Sequence, residues 1–357
     1  MMTLPLLFGL LAADAATLIE TIQSVQPAAV NQTDAHRAGV ELAGLGTEAL
    51  LPAVQAIGTA HPLADNILRG SIESIVAQAD ELPTAELRAF VSDLGNDGRA
   101  RRMVYELLRE RDADGDWSPA LDDPSDEMRF EAVAEVLDNA DPDDLKAYRR
   151  ALTGATNPKQ VDRIAEKLSH AGEPFDRVAH YGYLTRYRMI GPFDNQGEAS
   201  FDRSYPPEDS PGSPAFDREL TSDYEGFDAV GWQTFEASGD EATLNLHAAA
   251  DNYKGSLVYL STAFRTEQPR PVQLRVATEN AFKLWLNGKM VFSRPEYHRS
   301  KRFDQYVIDV DAESGTNLIL VKLLQNEQEQ SWAQDYDFSI RVTEPTGLAA
   351  EMTPVLP

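Results

Sequence analysis

The residues whose spacing most suggests chemistry lie in the stretch "DADGDWSPALDD" at 112–123. Asp112, Asp114 and Asp116 alternate, Ser118 continues the alternation, and Asp123 closes the run at its twelfth place. Oxygen ligands spaced this way along a short loop can wrap a hard cation, as the Ca²⁺ loop of an EF-hand does. Two features oppose that reading. Trp117 stands at the sixth place, where the sharp turn requires glycine, and Asp123 is also placed to cap the next helix. A Ca²⁺ loop on Asp112, Asp114, Asp116 and Asp123, and a plain acidic turn packed on Trp117, both fit the sequence.

A second group is aromatic. In "AFKLWLNGKMVF" (281–292) Phe282, Leu284 and Leu286 share one face of a strand, which leaves Trp285 on the other face between Lys283 and Asn287. An indole exposed beside amides and charges is a platform on which a sugar ring stacks. Trp232, Trp332, Tyr297 and Tyr306 are the further stacking candidates. The alternative is that both faces of the sheet are covered, one of them by the helical domain, and Trp285 belongs to that interface core.

Catalytic signals are missing by comparison. The chain has no HExxH, G-x-S-x-G, phosphate loop or dinucleotide fingerprint, and no two of its six histidines have ligand spacing. Carboxylates are so numerous that a glycosidase-like pair would arise from composition alone. An enzyme reading would follow polysaccharide lyases built from helices and then antiparallel sheet, with His180, Tyr181 and Tyr183 as acid–base groups. No basic cluster awaits an anionic sugar, so no residue is assigned to catalysis.

The totals restrict partners further. Among 357 residues, 58 acids face 32 basic side chains, a net charge of −26. Such a surface repels phosphate backbones and anionic lipid, which disfavours nucleic acid and membrane surfaces as partners and leaves neutral glycans, cations or basic proteins. There is no cysteine, hence no disulfide, thiol nucleophile or Cys-ligated zinc. The apolar run "LPLLFGLLA" (4–12) precedes Ala13-Asp14-Ala15, a small-x-small cleavage pattern. Residues 1–16 read either as a signal peptide, implying a periplasmic, extracellular or cell-surface protein, or as the first helix of the domain. The run is too short to cross a bilayer.

Two kinds of element must position these groups. From 17 to 175 apolar residues recur at helical spacing: Leu68, Ile72, Ile75, Val76; Leu87, Phe90, Val91, Leu94; Phe130, Val133, Ala134, Leu137; and Val161, Ile164, Ala165, Leu168. "DPSD" (123–126), "DPDD" (141–144) and "NPKQ" (157–160) predict helix starts with Asp or Asn as the cap and proline as the first helical residue. Short helices so closely spaced predict an α-solenoid or irregular helical-repeat domain. From 183 to 343 the period becomes two. Val272, Leu274 and Val276, then Phe282, Leu284 and Leu286, then Phe338, Ile340 and Val342 alternate with polar residues, and Asn287-Gly288 marks a hairpin. The spacing predicts an antiparallel β-sandwich or jelly roll, so the fold class is multidomain, α then β. A long loop over 194–228, rich in proline, glycine and acid, is expected to pack in places through Phe201, Tyr205 and Phe216. Residues 344–357 are expected to be a flexible tail.

"YRMIGPFDN" (187–195), "YPPE" (205–208), "AFKLWLNGKMVF" and "SGTNLILVKLLQ" (314–325) together resemble a sandwich module of exported bacterial proteins, similar to the galactose-binding-like jelly rolls. "HPLADNILRGSIESIVAQA" (61–79) and "DDPSDEMRFEAVAEVLDNA" (122–140) resemble the HEAT-like helical repeats that precede it. Tyr187 departs from the pattern, standing where that module has Trp. The resemblance covers most of the chain and implies architecture without activity. The sequence thus reads as a non-enzymatic exported binding protein, a helical scaffold with a carbohydrate-binding-like sandwich. A purely protein–protein scaffold is the alternative, and a lyase-like enzyme the more distant one.

Overall fold

A computed structural model describes residues 4–59, 61–111, 119–249 and 253–357. The chain divides into two compact units, Met1–Glu173 and Pro174–Pro357.

The first unit is helical. It contains α1 (Leu4–Gln23), α2 (Gln32–Gly44), α3 (Leu50–Gln55), α4 (Pro62–Gln78), α5 (Thr84–Ser92), α6 (Gly98–Arg111), α7 (Asp126–Asn139), α8 (Leu145–Gly154) and α9 (Pro158–His170). Helices pack on near neighbours in sequence, α1 on α2, α2 and α3 on α4, and then each helix from α5 to α9 on the next. Leu68, Ile72, Ile75 and Val76 of α4 and Leu87, Phe90 and Val91 of α5 are buried in one core, while Leu94 lies beyond α5 and is exposed. The Ala13-Asp14-Ala15 pattern falls inside α1, and Ala15, Ile19 and Ile22 join the same core.

One of the three expected helix starts has the expected cap. Asn157 accepts from the amides of Lys159 and Gln160, with Pro158 as the first helical residue. In the other two the cap lies further along: Ser125 caps α7 and Asp144 caps α8. Asp141 instead folds back to accept the amide of Asp143, the local turn that a short carboxylate offers in competition with a helix. The buried face of α7 is also turned from the expected stripe. Met128, Arg129, Ala132 and Val133 are buried, whereas Phe130, Ala134 and Leu137 are half-buried.

The second unit opens with α10 (Arg177–Tyr181) and continues as strands: β1 (Arg186–Asp194), β2 (Leu220–Thr221), β3 (Ala229–Val230), β4 (Gln233–Glu236), β5 (Leu244–Asn245), β6 (Ser256–Thr266), β7 (Arg270–Ala277), β8 (Ala281–Leu286), β9 (Lys289–Arg294), β10 (Tyr306–Ala312), β11 (Gly315–Leu324), β12 (Asp337–Thr343) and β13 (Thr353–Val355). A large antiparallel sheet runs β4-β1-β6-β11-β8-β9, with β13 also on β6, and a smaller one runs β10-β7-β12-β5. The two enclose one core, because Val272, Leu274, Val276, Ile340 and Val342 of the small sheet cluster with Phe282, Leu284, Leu286, Val258 and Val321 of the large one. Asn287 and Gly288 have φ of 49° and 86°, the double left-handed turn that joins β8 to β9 and matches strand twist. Tyr187 is fully buried and its hydroxyl donates to the Leu184 carbonyl at 2.8 Å, a polar end that a buried phenol needs to satisfy.

Residues 344–357 are not a loose tail. β13 pairs with Ala263–Arg265 of β6, along the stretch that β1, paired at Ser256–Ser261, leaves open. Arg188 Nε also donates to the Pro357 carbonyl at 2.6 Å.

Candidate functional site

The expected stacking platform at Trp285 is closed. Trp285 is 7 % exposed and lies in a second apolar cluster with Ile190, Phe193, Tyr205, Leu220 and Leu320. These residues belong to the face of the large sheet opposite the shared core and to the long segment after β1, which folds down over that face. What holds the segment there is mostly polar. Lys322, on the covered face of β11 and fully buried, donates to the carbonyls of Phe201 (3.2 Å) and Arg203 (2.5 Å) and to Glu208 Oε1 (3.0 Å). The Tyr259 hydroxyl donates to the same Glu208 oxygen. Burial lowers the pKa of Lys322, against the pull of Glu208, and burial with the adjacent Glu208 charge raises that of Tyr259. Ser222 Oγ donates to the Pro192 carbonyl at 2.6 Å.

The other stacking candidates separate. Trp232 is half-buried, edge-on to Phe216 at 5.1 Å. Tyr306 is half-buried against Phe282 and Phe292. Trp232 and Tyr297 pack on the same cluster as Trp285, and Tyr297 and Trp332 each border His298, at the end of the sandwich where the segments after β1, before β6, after β9 and after β11 converge.

Backbone and amide bonds tie these segments together. The Asn195 amide donates to the Gly255 carbonyl (2.8 Å), and the Gly255 amide donates to that of Asn326 (3.0 Å). Gly255, at φ 61°, turns left-handed between them. The Asn195 side chain, fully buried, donates to the Tyr297 hydroxyl (3.1 Å) and the Gln325 carbonyl (3.0 Å), while its own oxygen accepts the Ser200 amide (3.2 Å).

On this base stands His298, a non-glycine residue at φ 55°. Its Nε2 lies 2.9 Å from Asn326 Oδ1, which also accepts the Gln328 amide, so Nε2 carries the proton. Asn326 Nδ2 donates in turn to Glu198 Oε1 at 3.0 Å. Trp332 sits edge-on to the His298 ring, centroids 5.0 Å apart at 90°, and is 58 % exposed. Its turn, Ser331–Ala333, is anchored by Lys254 Nζ, which donates to the Ala333 carbonyl at 2.8 Å. Burial lowers the Lys254 pKa, with Glu329 acting against it. Burial pushes the Tyr297 phenol up to about 12, helped by the carboxylates of Glu198 and Glu327. The arrangement is an exposed indole rimmed by amides, an imidazole and acids. His298, Asn326 and Glu198 are absent from the sequence expectation, since neither period nor spacing links 198, 298 and 326.

The remaining candidates resolve differently. Asp123 is buried and makes a two-point pair with Arg101 (2.9 and 2.7 Å), while also accepting the Ser125 amide. Its carboxylate is therefore taken up within the helical core and is not the closing ligand of a cation loop. Asp112, Asp114 and Asp116 lie outside the described residues, among which no group of three or more acids or histidines is placed to hold a metal. Tyr181 and Tyr183 are buried, and burial raises the Tyr183 pKa, the reverse of what a base needs. His180 packs on Phe175 and Tyr181. No described helix is long and apolar enough to cross a membrane.

No family model matches the sequence, and no curated protein does. Solved structures give faint likenesses. A family 35 carbohydrate-binding module from an environmental isolate is 16 % identical over 30 % of this chain and 74 % of its own, at a TM-score of 0.20. The epithelial adhesin 9 A domain of Candida glabrata, solved with Galβ1-4GlcNAc, is 11 % identical over 50 % of this chain and 95 % of its own, TM-score 0.23. A β-glucosidase of Kluyveromyces marxianus is 8 % identical over 80 % of this chain, which spans 34 % of the enzyme, TM-score 0.28. Scores this low leave the fold and the site to rest on the chain's own strand order and contacts.

Proposed function

We propose that this is a non-enzymatic, exported binding protein whose sandwich takes a glycan at the loop end crowned by Trp332, carried on a HEAT-like helical scaffold. The observation that carries the reading is the exposure of Trp332, since Trp285 is buried and Trp232 half-buried. An indole that is wet on one side and braced by an imidazole on the other offers a sugar ring a flat apolar surface at little entropic cost. Amides at its rim suit hydroxyl groups, which both donate and accept. The resemblance of "YRMIGPFDN" and "AFKLWLNGKMVF" to galactose-binding-like modules of exported proteins agrees with this reading.

Titration of the protein against a panel of oligosaccharides tests the reading. Binding to at least one is expected, and Trp332→Ala should abolish it while leaving the melting temperature nearly unchanged. Silence across the panel would favour the protein-scaffold reading. That reading has one observation of its own, a groove of about 590 Å³ in the helical unit lined by Arg69, Ile72, Glu73, Arg99, Arg102 and Met103.

A further inference from the structure

A stacking platform binds well only when its ring is held in one orientation before the ligand arrives. Trp332 and Ala333 share one 3₁₀ turn, Ser331–Ala333, on which successive side chains point about 120° apart. Ala333 is fully buried and Trp332 is 58 % exposed, so pinning the first turns the second outward. The bonds within the turn are local. The Ala333 amide donates to the Gln330 carbonyl at 2.9 Å, and Gln334 Nε2 donates to the carbonyls of Glu329 (2.6 Å) and Gln330 (3.0 Å). They shape the turn without tying it to the sandwich.

The tie comes from Lys254, 79 positions earlier in the chain, whose Nζ donates to the Ala333 carbonyl at 2.8 Å. Among the described residues this is the one hydrogen bond that joins residues 330–333 to another segment. Lys254 is fixed at its root as well. Its own carbonyl accepts the Tyr224 hydroxyl at 2.7 Å, and Tyr224 packs on Tyr253 and Phe227, with ring centroids 5.5 and 6.2 Å away. The next residue, Gly255, bonds through its amide to Asn326 and through its carbonyl to Asn195. Lys254 is half-buried and makes no ion pair among the described residues, although Glu329 acts on its charge. A half-buried ammonium without a carboxylate needs a strong acceptor, and a backbone carbonyl serves.

We propose that Lys254 is the positioning residue of the Trp332 site: its bond to Ala333 holds the turn so that the indole stands out in one orientation for a sugar ring. This rests on the glycan-binding reading above and adds the side chain that prepares the platform. Lys254 acts through the turn and not on the sugar. Without the bond, the ordering of the indole falls to the binding step and affinity drops, while the sandwich core is untouched.

Fluorine NMR of the full chain labelled with fluorotryptophan tests it. The Trp332 line, identified by its loss in Trp332→Phe, reports on the turn with or without a ligand. Lys254→Met keeps the apolar stem and removes the donor. It is expected to move and narrow the Trp332 line while leaving those of Trp232 and Trp285 in place. It should also weaken the tightest oligosaccharide of the panel about threefold to tenfold, the cost of ordering a freed side chain. Tyr224→Phe, which frees the root of the lysine, should move the same line by less. An unmoved Trp332 line in Lys254→Met overturns the inference, as does unchanged oligosaccharide affinity. Displacement of the Trp232 and Trp285 lines together with that of Trp332 overturns it too, since it marks a general loss of packing. If the Trp332 line responds as expected but no oligosaccharide binds the native chain, the glycan reading falls and the anchoring of the turn stands.

Discussion

The two faces of the large sheet are covered by different means. One packs against the small sheet through Phe282, Leu284, Val321 and Leu323 meeting Val276, Ile340 and Val342. The other is covered by its own chain, a segment with little regular structure pinned by Lys322, Glu208, Tyr259 and Ser222. Apolar area dominates the first, and hydrophobic burial is non-directional. The second depends on a few directional bonds whose loss leaves a buried charge or carbonyl behind. The contrast also separates the two tryptophans: Trp285 is under the segment, whereas Trp332 lies past its edge.

Substitutions can break this comparison. Trp285→Ala removes a buried indole and should cost about 3–5 kcal/mol in denaturant unfolding; a loss below about 1 kcal/mol would mean that the covering segment is not seated on it. Glu208→Gln strips Lys322 of its counter-charge and should cost about 3 kcal/mol. It should also open cleavage sites between 196 and 219 in limited proteolysis, which a core truncation such as Ile340→Val, at about 1 kcal/mol, should not. The covered face should respond to alkali as well. The phenols of Tyr205, Tyr259 and Tyr297 are all raised above 10.0, and Tyr297 reaches about 12. A phenol raised by folding contributes stability that is intact below its unfolded pKa. Melting temperature should therefore hold up to about pH 10 and fall steadily toward about pH 12, with phenolate absorbance rising in step. Smallest of all, Trp332→Ala should change stability by less than about 0.5 kcal/mol, as an exposed site does. A large loss would make Trp332 part of the packing and take the binding platform away.

The same contrast governs what could be read from sequence. The face against the small sheet was legible, because Val272, Leu274 and Val276, Phe282, Leu284 and Leu286, and Phe338, Ile340 and Val342 alternate and are buried together. The helical stripes of α4, α5 and α9 were legible for the same reason, at their own period. The face under the segment was not. Lys322 reads as a solvated residue and is fully buried, and its partners lie more than a hundred residues away in the chain. Arg129 misleads in the same way. It is fully buried, donating to the carbonyls of Gly154 and Asp123, so the inward side of α7 includes a position that periodicity assigns to water. The site combines both difficulties. Two of its aromatics, Tyr297 and Trp332, could be named from residue type, but their meeting depends on Asn195, Asn326 and the left-handed turn at His298. Such bonds leave no period in the sequence.

Strand β6 serves two partners along one side, β1 at Ser256–Ser261 and β13 at Ala263–Arg265. Its hydrogen-bonding edge is thus finished by residues roughly ninety positions downstream, and it stays open on the ribosome until Thr353–Val355 have emerged. An edge left unpaired recruits strands from other chains. A nascent or clipped chain ending before Thr353 would offer Ala263-Phe264-Arg265 to its neighbours, making this short strand a guard against self-association as much as a contributor to the sheet.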